Sequence, residues 1–239
     1  MWVPIKKPHF NTYLEENLSA MRENGEREIE WSFNRDTQTP WSITTLDLGT
    51  KDTLKVIWDL HIRKLEEEGW TVCYTDGSGL ETKAAGAFTR TSYTGMHGEK
   101  TGSNYLGTKA THCDGELNSI AQALEESREV NLLTILTDSK LAISTIRRLN
   151  SGTAPPWSAI EAQILEKLCK RSNDHLDTGL AWVKSHKGIE GNKKVDKLCR
   201  EASILGHELE GVVTPAGLKA WSRRVGVEAR GGSGEGILG

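Results

Sequence analysis

The stretch CYTDGSGLETKAAGAFTR, from Cys73 to Arg90, sets one carboxylate between a short apolar run and three small residues, then resumes with small and apolar positions. Trp70, Val72 and Tyr74 recur with a period of two, the pattern of a strand with one buried face. Gly77, Ser78 and Gly79 fit a tight turn that would return Ala84 to Thr91 as an antiparallel neighbour. Asp76 then closes the strand where core meets water. Taken alone this is a hairpin with an aspartate in its turn. It becomes a site if other acids reach the same point.

Working outward, the residues before Trp70 read as a helix with Leu54, Ile57, Trp58, Ile62 and Leu65 on one face. After it the pattern predicts strands near 70–76, 84–92 and 98–106 and a helix over 115–129 with Leu117, Ile120, Ala121 and Leu124 inward. NLLTILT, Asn131 to Thr137, is apolar at nearly every position, as a central strand beneath helices would be. Helices over 139–149 and 157–170, a strand over 179–184 and a last helix over 191–204 complete the series. Three strands in sequence, then helices alternating with strands, predict an α/β fold: a five-stranded mixed sheet, three antiparallel strands followed by parallel ones, flanked by helices. Thr214-Pro215 is a helix-start signal for a basic helix carrying Lys219, Arg223 and Arg224, and GGSGEG beyond it reads as flexible linker.

With 239 residues the chain can bury one sizeable core plus appendages. A formal net charge of −3 gives no global basic field, so any nucleic-acid surface is local. Four scattered cysteines do not make a zinc site, and no secretory signal precedes them, which fits reduced thiols in an intracellular protein, nuclear or cytoplasmic and not secreted. The apolar runs are far shorter than the roughly 20 residues that span a bilayer, so no membrane role is expected.

Other acids do arrive. NLLTILT ends in Asp138, followed by Ser139-Lys140 at the expected start of a helix, repeating the arrangement at Asp76. Side chains at the carboxyl ends of strands in such sheets face the ligand crevice. Two neighbouring aspartates there repel unless a cation lies between them. Glu116 sits at the edge of a helix's buried face, either as a partner of the helix N-terminus or as a metal ligand. In WVKSHKGIEGNKKVDKLCREA, residues 182–202, a loop with His186 and Gly188 follows a strand, and Asp196 lies early in the next helix.

Together TDGSG with Asp76, GELNSIAQALE with Glu116, LTDSK with Asp138, and VKSHKGIEGNKKVD with His186 and Asp196 resemble the ribonuclease H family over about residues 68–205. The order of acids, histidine loop and element types is that family's. Within it the wording is most similar to ribonuclease H domains of LINE-type (non-LTR) retrotransposon polyproteins, and TPWSITTLDLG and GVVTPAGLKAWSRRV resemble the segments flanking such domains. The chain then divides into an N-terminal arm or linker (1–52), a lead-in helix (53–69), the ribonuclease H domain (70–205), and a C-terminal basic helix with a Gly-rich tail (206–239). The zinc-finger segment that often follows such domains is not among these residues, which fits either an excised fragment or a truncated stand-alone copy.

The resemblance implies an endoribonuclease that cuts the RNA strand of RNA/DNA hybrids, leaving 5′-phosphate and 3′-hydroxyl ends. It implies two Mg²⁺ ions, or Mn²⁺, held by Asp76, Glu116, Asp138 and Asp196, with His186 as proton shuttle. Carboxylates suit such hard cations. For substrate it implies Ser78 and Gly115 near the 2′-hydroxyl. The sequence itself offers Lys187, Lys193 and Lys194 around the His186 loop for phosphates, unless they are only a solvated basic helix face, with Lys109 and Thr111 as a second candidate surface and Lys140 as a further substrate contact. The expected partners are the hybrid and a reverse transcriptase of the same polyprotein, with the chain itself a monomer. The rival reading is a catalytically weak or inactive domain that binds hybrids or serves the polyprotein structurally. Trp157, Trp182 and Trp221 lie close to apolar periodic positions and read as core rather than as base-stacking platforms.

Overall fold

The computed structural model describes residues 41–45, 59, 62–80, 83–91, 99–152, 155–183, 189–206 and 212–231. Its sheet contains β1 (Trp41–Thr45), β2 (Thr71–Leu80), β3 (Lys83–Thr91), β4 (Lys100–Gly107), β5 (Leu132–Thr137) and β6 (Asp177–Trp182). The helices are α1 (His112–Glu126), α2 (Lys140–Ser151), α3 (Ala159–Asn173), α4 (Glu190–Leu205) and α5 (Pro215–Gly231). The strand order is β1-β6-β5-β2-β3-β4. β2, β3 and β4 pair antiparallel, while β5 runs parallel to β2 and β6 parallel to β5. These are the five strands expected from the sequence. β1, inside the segment read as an arm, adds a sixth by pairing parallel with β6, Trp41 opposite Thr178 through Thr45 opposite Trp182.

Both faces of the sheet are covered, so alternation along each strand sorts side chains between two cores. Cys73, Leu133, Ile135, Leu180 and Trp182 face α1, α2 and α3, joining Leu117, Ile120, Leu124, Ile143, Ile146 and Ile164. The intervening positions Val72, Tyr74, Leu136, Ala181 and Val183 join Val195 and Cys199 of α4. This explains why NLLTILT lacks a polar face, and it corrects the reading of the strand at Trp70 as buried on one face. Ile62 is buried against the α4 side, with Leu65 packed beside it, in the helical turns over 62–67. The remainder of the lead-in helix falls outside the described residues, as do the Gly-rich tail and most of the arm. Among the described residues no helix is long and apolar enough to cross a membrane.

Gly77, Ser78 and Gly79 do not form a turn. β2 continues to Leu80 with every residue from Val72 onward paired to β3, Asp76 opposite Ala87 and Gly77 opposite Gly86. The glycines serve close approach instead. A Cβ on Gly77 would lie 2.4 Å from Glu116 N, one on Gly86 2.5 Å from Gly115 O, and one on Gly115 2.3 Å from Ala85 O. Contacts that short do not occur, so at these three positions α1 meets β2 and β3 with no side chain between them. α1 also begins earlier than 115: Thr111 is its N-cap, the hydroxyl accepting from Asp114 N while the Asp114 carboxylate accepts from Thr111 N. That capping box satisfies the helix end.

Because the neighbours of a Gly86 Cβ are backbone atoms that cannot rotate away, Gly86→Ala must push α1 off the sheet. We expect a loss of about 1–3 kcal/mol of stability, the usual cost of overpacking, read as a lower urea midpoint at unchanged slope.

Candidate active site

Three carboxylates converge. Asp76, Glu116 and Asp138 each offer an oxygen within 4.8 Å of the others. Asp76 lies on β2 just beyond the last β2–β5 pair, Thr75 with Thr137, where the parallel neighbour turns away. Its Oδ1 accepts from Gly77 N at 2.9 Å. Glu116 reaches the same point because α1 sits directly against Gly77. Asp138 follows the last residue of β5 and is held by its backbone: Trp182 Nε1 donates to its carbonyl at 2.9 Å, and Val183 N donates to Thr137 O at 2.8 Å. Ser139 caps α2, its Oγ accepting from Ala142 N at 3.1 Å.

Burial and mutual repulsion set the protonation of these acids. Asp76 is pushed up from 3.8 to about 7, first by burial and then by Asp138 and Asp196, against opposing help from Gly77 N–H and Arg200. Glu116 is pushed up from 4.5 to about 9, first by burial and then by Asp76 and Asp138. Glu116 Oε1 lies 3.4 Å from His112 Nε2, while Oε2 is buried without a hydrogen-bond partner. An orphaned carboxylate oxygen beside two further acids is a site that lacks positive charge. The donors are all hard oxygens, so the residues fit Mg²⁺ or Mn²⁺ better than zinc.

Asp196 stands outside this cluster. It is half-buried on α4, and its Oδ1 accepts from Arg200 Nε at 3.1 Å, one helical turn on. It is nonetheless near enough to help raise Asp76. His186 and Lys187 lie outside the described residues. Ser78 is half-buried on β2, Gly115 is buried against Ala85, and Thr111 is the α1 cap. Lys140 is exposed with Nζ 4.5 Å from the Trp182 ring centre, and Lys109 is exposed with Nζ 5.3 Å from that of Trp221. Lys193 and Lys194 are exposed on α4, paired with Glu190 and Glu99.

The tryptophans divide. Trp182 is core, whereas Trp157 is 67% exposed, correcting its reading as core. Arg148 covers its ring at 4.0 Å while bonded to Glu161 and Pro155 O. His112, one turn before Glu116, was legible only once the helix start at Thr111 was known. The bond between Asp114 and Thr214, 100 residues apart, had no local signal.

For the metal-free protein the pH dependence has a definite sign. Protonated Glu116 contributes stability that is fully present below its ordinary 4.5 and lost as pH rises through about 9; for Asp76 the window runs from 3.8 to about 7. Unfolding measured in EDTA should therefore show stability rising as pH falls from 9 toward 5. Glu116→Gln should flatten that rise, and an unchanged slope would remove Glu116 from the charged cluster.

A family model described as RNase H matches residues 68–204. Among solved structures, RNase H1 from the halophilic archaeon Halobacterium salinarum is 21% identical, covering 56% of this chain and 97% of its own, with a TM-score of 0.41. The N-terminal RNase H domain of a Mycobacterium tuberculosis protein, solved as a fusion with maltose binding protein, is 16% identical, covering 56% of this chain and 98% of its own, with a TM-score of 0.43. The family match spans more than half the chain and contains all three converging acids: the protein belongs to the RNase H family.

Proposed function

We propose that this chain is an endonuclease for the RNA strand of RNA/DNA hybrids, leaving 5′-phosphate and 3′-hydroxyl ends. The observation that carries the reading is the cluster of Asp76, Glu116 and Asp138, buried and within 4.8 Å, in a chain of this family. Asp76 would sit between two Mg²⁺ ions, Glu116 and Asp138 would hold one of them, and Asp196 would hold the other. When bound, such a pair activates a water toward phosphorus and neutralises charge on the departing 3′ oxygen. In the balanced reaction, the oxygen of water forms the new bond to phosphorus, the bond from phosphorus to O3′ breaks, and O3′ takes up a proton in exchange for the one the water gives up.

The remaining work falls to the chain. Repulsion among the three acids, with an orphaned Glu116 oxygen, primes the site for cations and disfavours its bare state. A ring nitrogen of His186 carries protons to and from the reacting water, since imidazole titrates near neutrality. Glu116 with the backbone at Ser78 and Gly115 reads the 2′-hydroxyl that only the RNA strand offers. Thr111, Lys109, Lys140, Lys187, Lys193 and Lys194 hold phosphates, which positions the duplex without identifying its sequence.

One observation favours a second reading, a domain that binds hybrids and cuts them weakly: Asp196 is engaged by Arg200 rather than by the other acids. The wording of the motifs and flanks also places the chain, in our reading, in a LINE-type retrotransposon polyprotein beside a reverse transcriptase.

Labelled hybrid, duplex DNA and duplex RNA, each incubated with and without Mg²⁺, test the reading. Only the hybrid should be cut, in its RNA strand, and only with the cation. Asp76→Asn should abolish cleavage while leaving the fold intact, because a neutral amide cannot hold two cations. His186→Ala should slow turnover roughly 10² to 10⁴-fold, the usual loss of a general acid or base, with Mg²⁺ affinity by calorimetry little changed. Near-full activity in Asp76→Asn, or cutting of duplex DNA at the same rate, would overturn the proposal.

A further inference from the structure

Helix α5 begins at Pro215, beyond the residues that the family model matches, yet it is seated on the loop that feeds the candidate site. Thr214 N donates to Lys109 O at 3.3 Å. The Thr214 hydroxyl donates to Asp114 Oδ2 at 2.8 Å and accepts from Gly217 N at 3.0 Å. Arg224 Nη2 donates to Thr108 O at 2.7 Å. A Cβ on Gly217 would fall 1.9 Å from Lys109 O, so helix and loop meet backbone to backbone. Asp114 is two residues before Glu116, which puts α5 in the same rigid frame as the acids.

Contacts at positions 217, 221 and 224 define the docked face of α5. Lys219 and Arg223 are one helical turn apart, leave from the other side, and are exposed. Their pairing differs from that of the basic groups on α4. There Lys193, Lys194, Lys197 and Arg200 pair with Glu190, Glu99, Glu201 and Asp196. Among the described residues no carboxylate pairs with Lys109, Lys219 or Arg223, and residues 215–224 contain no acid. A cation already paired must give up its carboxylate to meet a phosphate, whereas an unpaired one only displaces counterions.

We infer that α5, with Lys109 at its base, is a phosphate-binding wall that grips the backbone of the RNA/DNA hybrid beside the site. This inference rests on the hybrid-nuclease reading above. Its charges are held in place by the docking contacts before substrate arrives, so little ordering is lost on binding. Being phosphate contacts, they add affinity and leave strand choice to the 2′-hydroxyl.

Hybrid binding by the full chain, measured in Ca²⁺ by fluorescence anisotropy across a salt series, tests it. The double variant Lys219→Gln with Arg223→Gln should bind more weakly, with the slope of log K against log salt shallower by up to about 2, slightly under one unit per lost contact on a duplex. Lys219→Glu with Arg223→Glu should weaken binding further, and both variants should melt at the wild-type temperature, since neither side chain is buried. Wild-type slope and affinity in both variants would overturn the inference alone, leaving α5 as a brace for α1. Wild-type protein that neither binds nor cuts the hybrid would overturn the nuclease reading and this inference with it.

Discussion

Everything at this site depends on how closely α1 approaches the sheet. A helix normally stands off a sheet by the depth of the side chains between them. At Gly77, Gly86 and Gly115 those side chains are absent, and any Cβ there would overlap backbone on the facing element. The second turn of α1 therefore lies against β2, and Glu116 comes within reach of Asp76 across a strand that has no side chain to block it. Farther along, where Leu117, Ile120 and Leu124 meet Cys73, Phe88 and Ile135, ordinary apolar packing resumes and supplies the stabilisation.

That stabilisation is needed, because the acids oppose folding when bare. Burial and mutual repulsion raise both Asp76 and Glu116 far above ordinary carboxylates. The surrounding bonds keep the cluster from opening to relieve itself. Thr75 Oγ1 ties β2 to Leu136 O at 3.2 Å, Cys199 Sγ approaches Ala85 O at 3.2 Å, and Trp182 fixes the carbonyl of Asp138. On the reading proposed above, a cation would meet a site already formed, at the expense of the stability of the bare protein.

Periodicity made most of the fold legible. NLLTILT could only be a strand covered on both sides, and the helices that follow it announced their buried faces at helical spacing. The strand β1 was not legible, because a five-residue edge strand among prolines and tryptophans carries no period long enough to separate it from linker. The glycines of TDGSG misled for a different reason. Glycine marks both turns and close approaches, and local sequence cannot tell which. The sequence set Asp76 and Asp138 at strand ends and Glu116 at a helix start, and the structure brings these three together, although Asp76 lies within β2, which runs on to Leu80. Asp196 was placed on the correct helix, but its turn toward Arg200 depends on a rotamer, and rotamers leave no trace in spacing.

The same limit applies to charge. A net −3 and a run of lysines around Asp196 point to α4 as the basic surface, and by composition that is the stronger candidate. What decides how a cation acts is its partner in space. Each basic group on the α4 face has a carboxylate within reach, so a phosphate that meets those lysines must first displace it. Lys219 and Arg223 are fewer, but among the described residues no carboxylate pairs with them, and they stand on a helix joined through Thr214 to Asp114 of the α1 capping box. Asp114 thus serves two ends of the chain at once: its Oδ2 accepts from Thr111 N at 2.7 Å and from Thr214 at 2.8 Å. A helix beyond the residues that the family model matches is in this way built into the footing of α1, which carries Glu116.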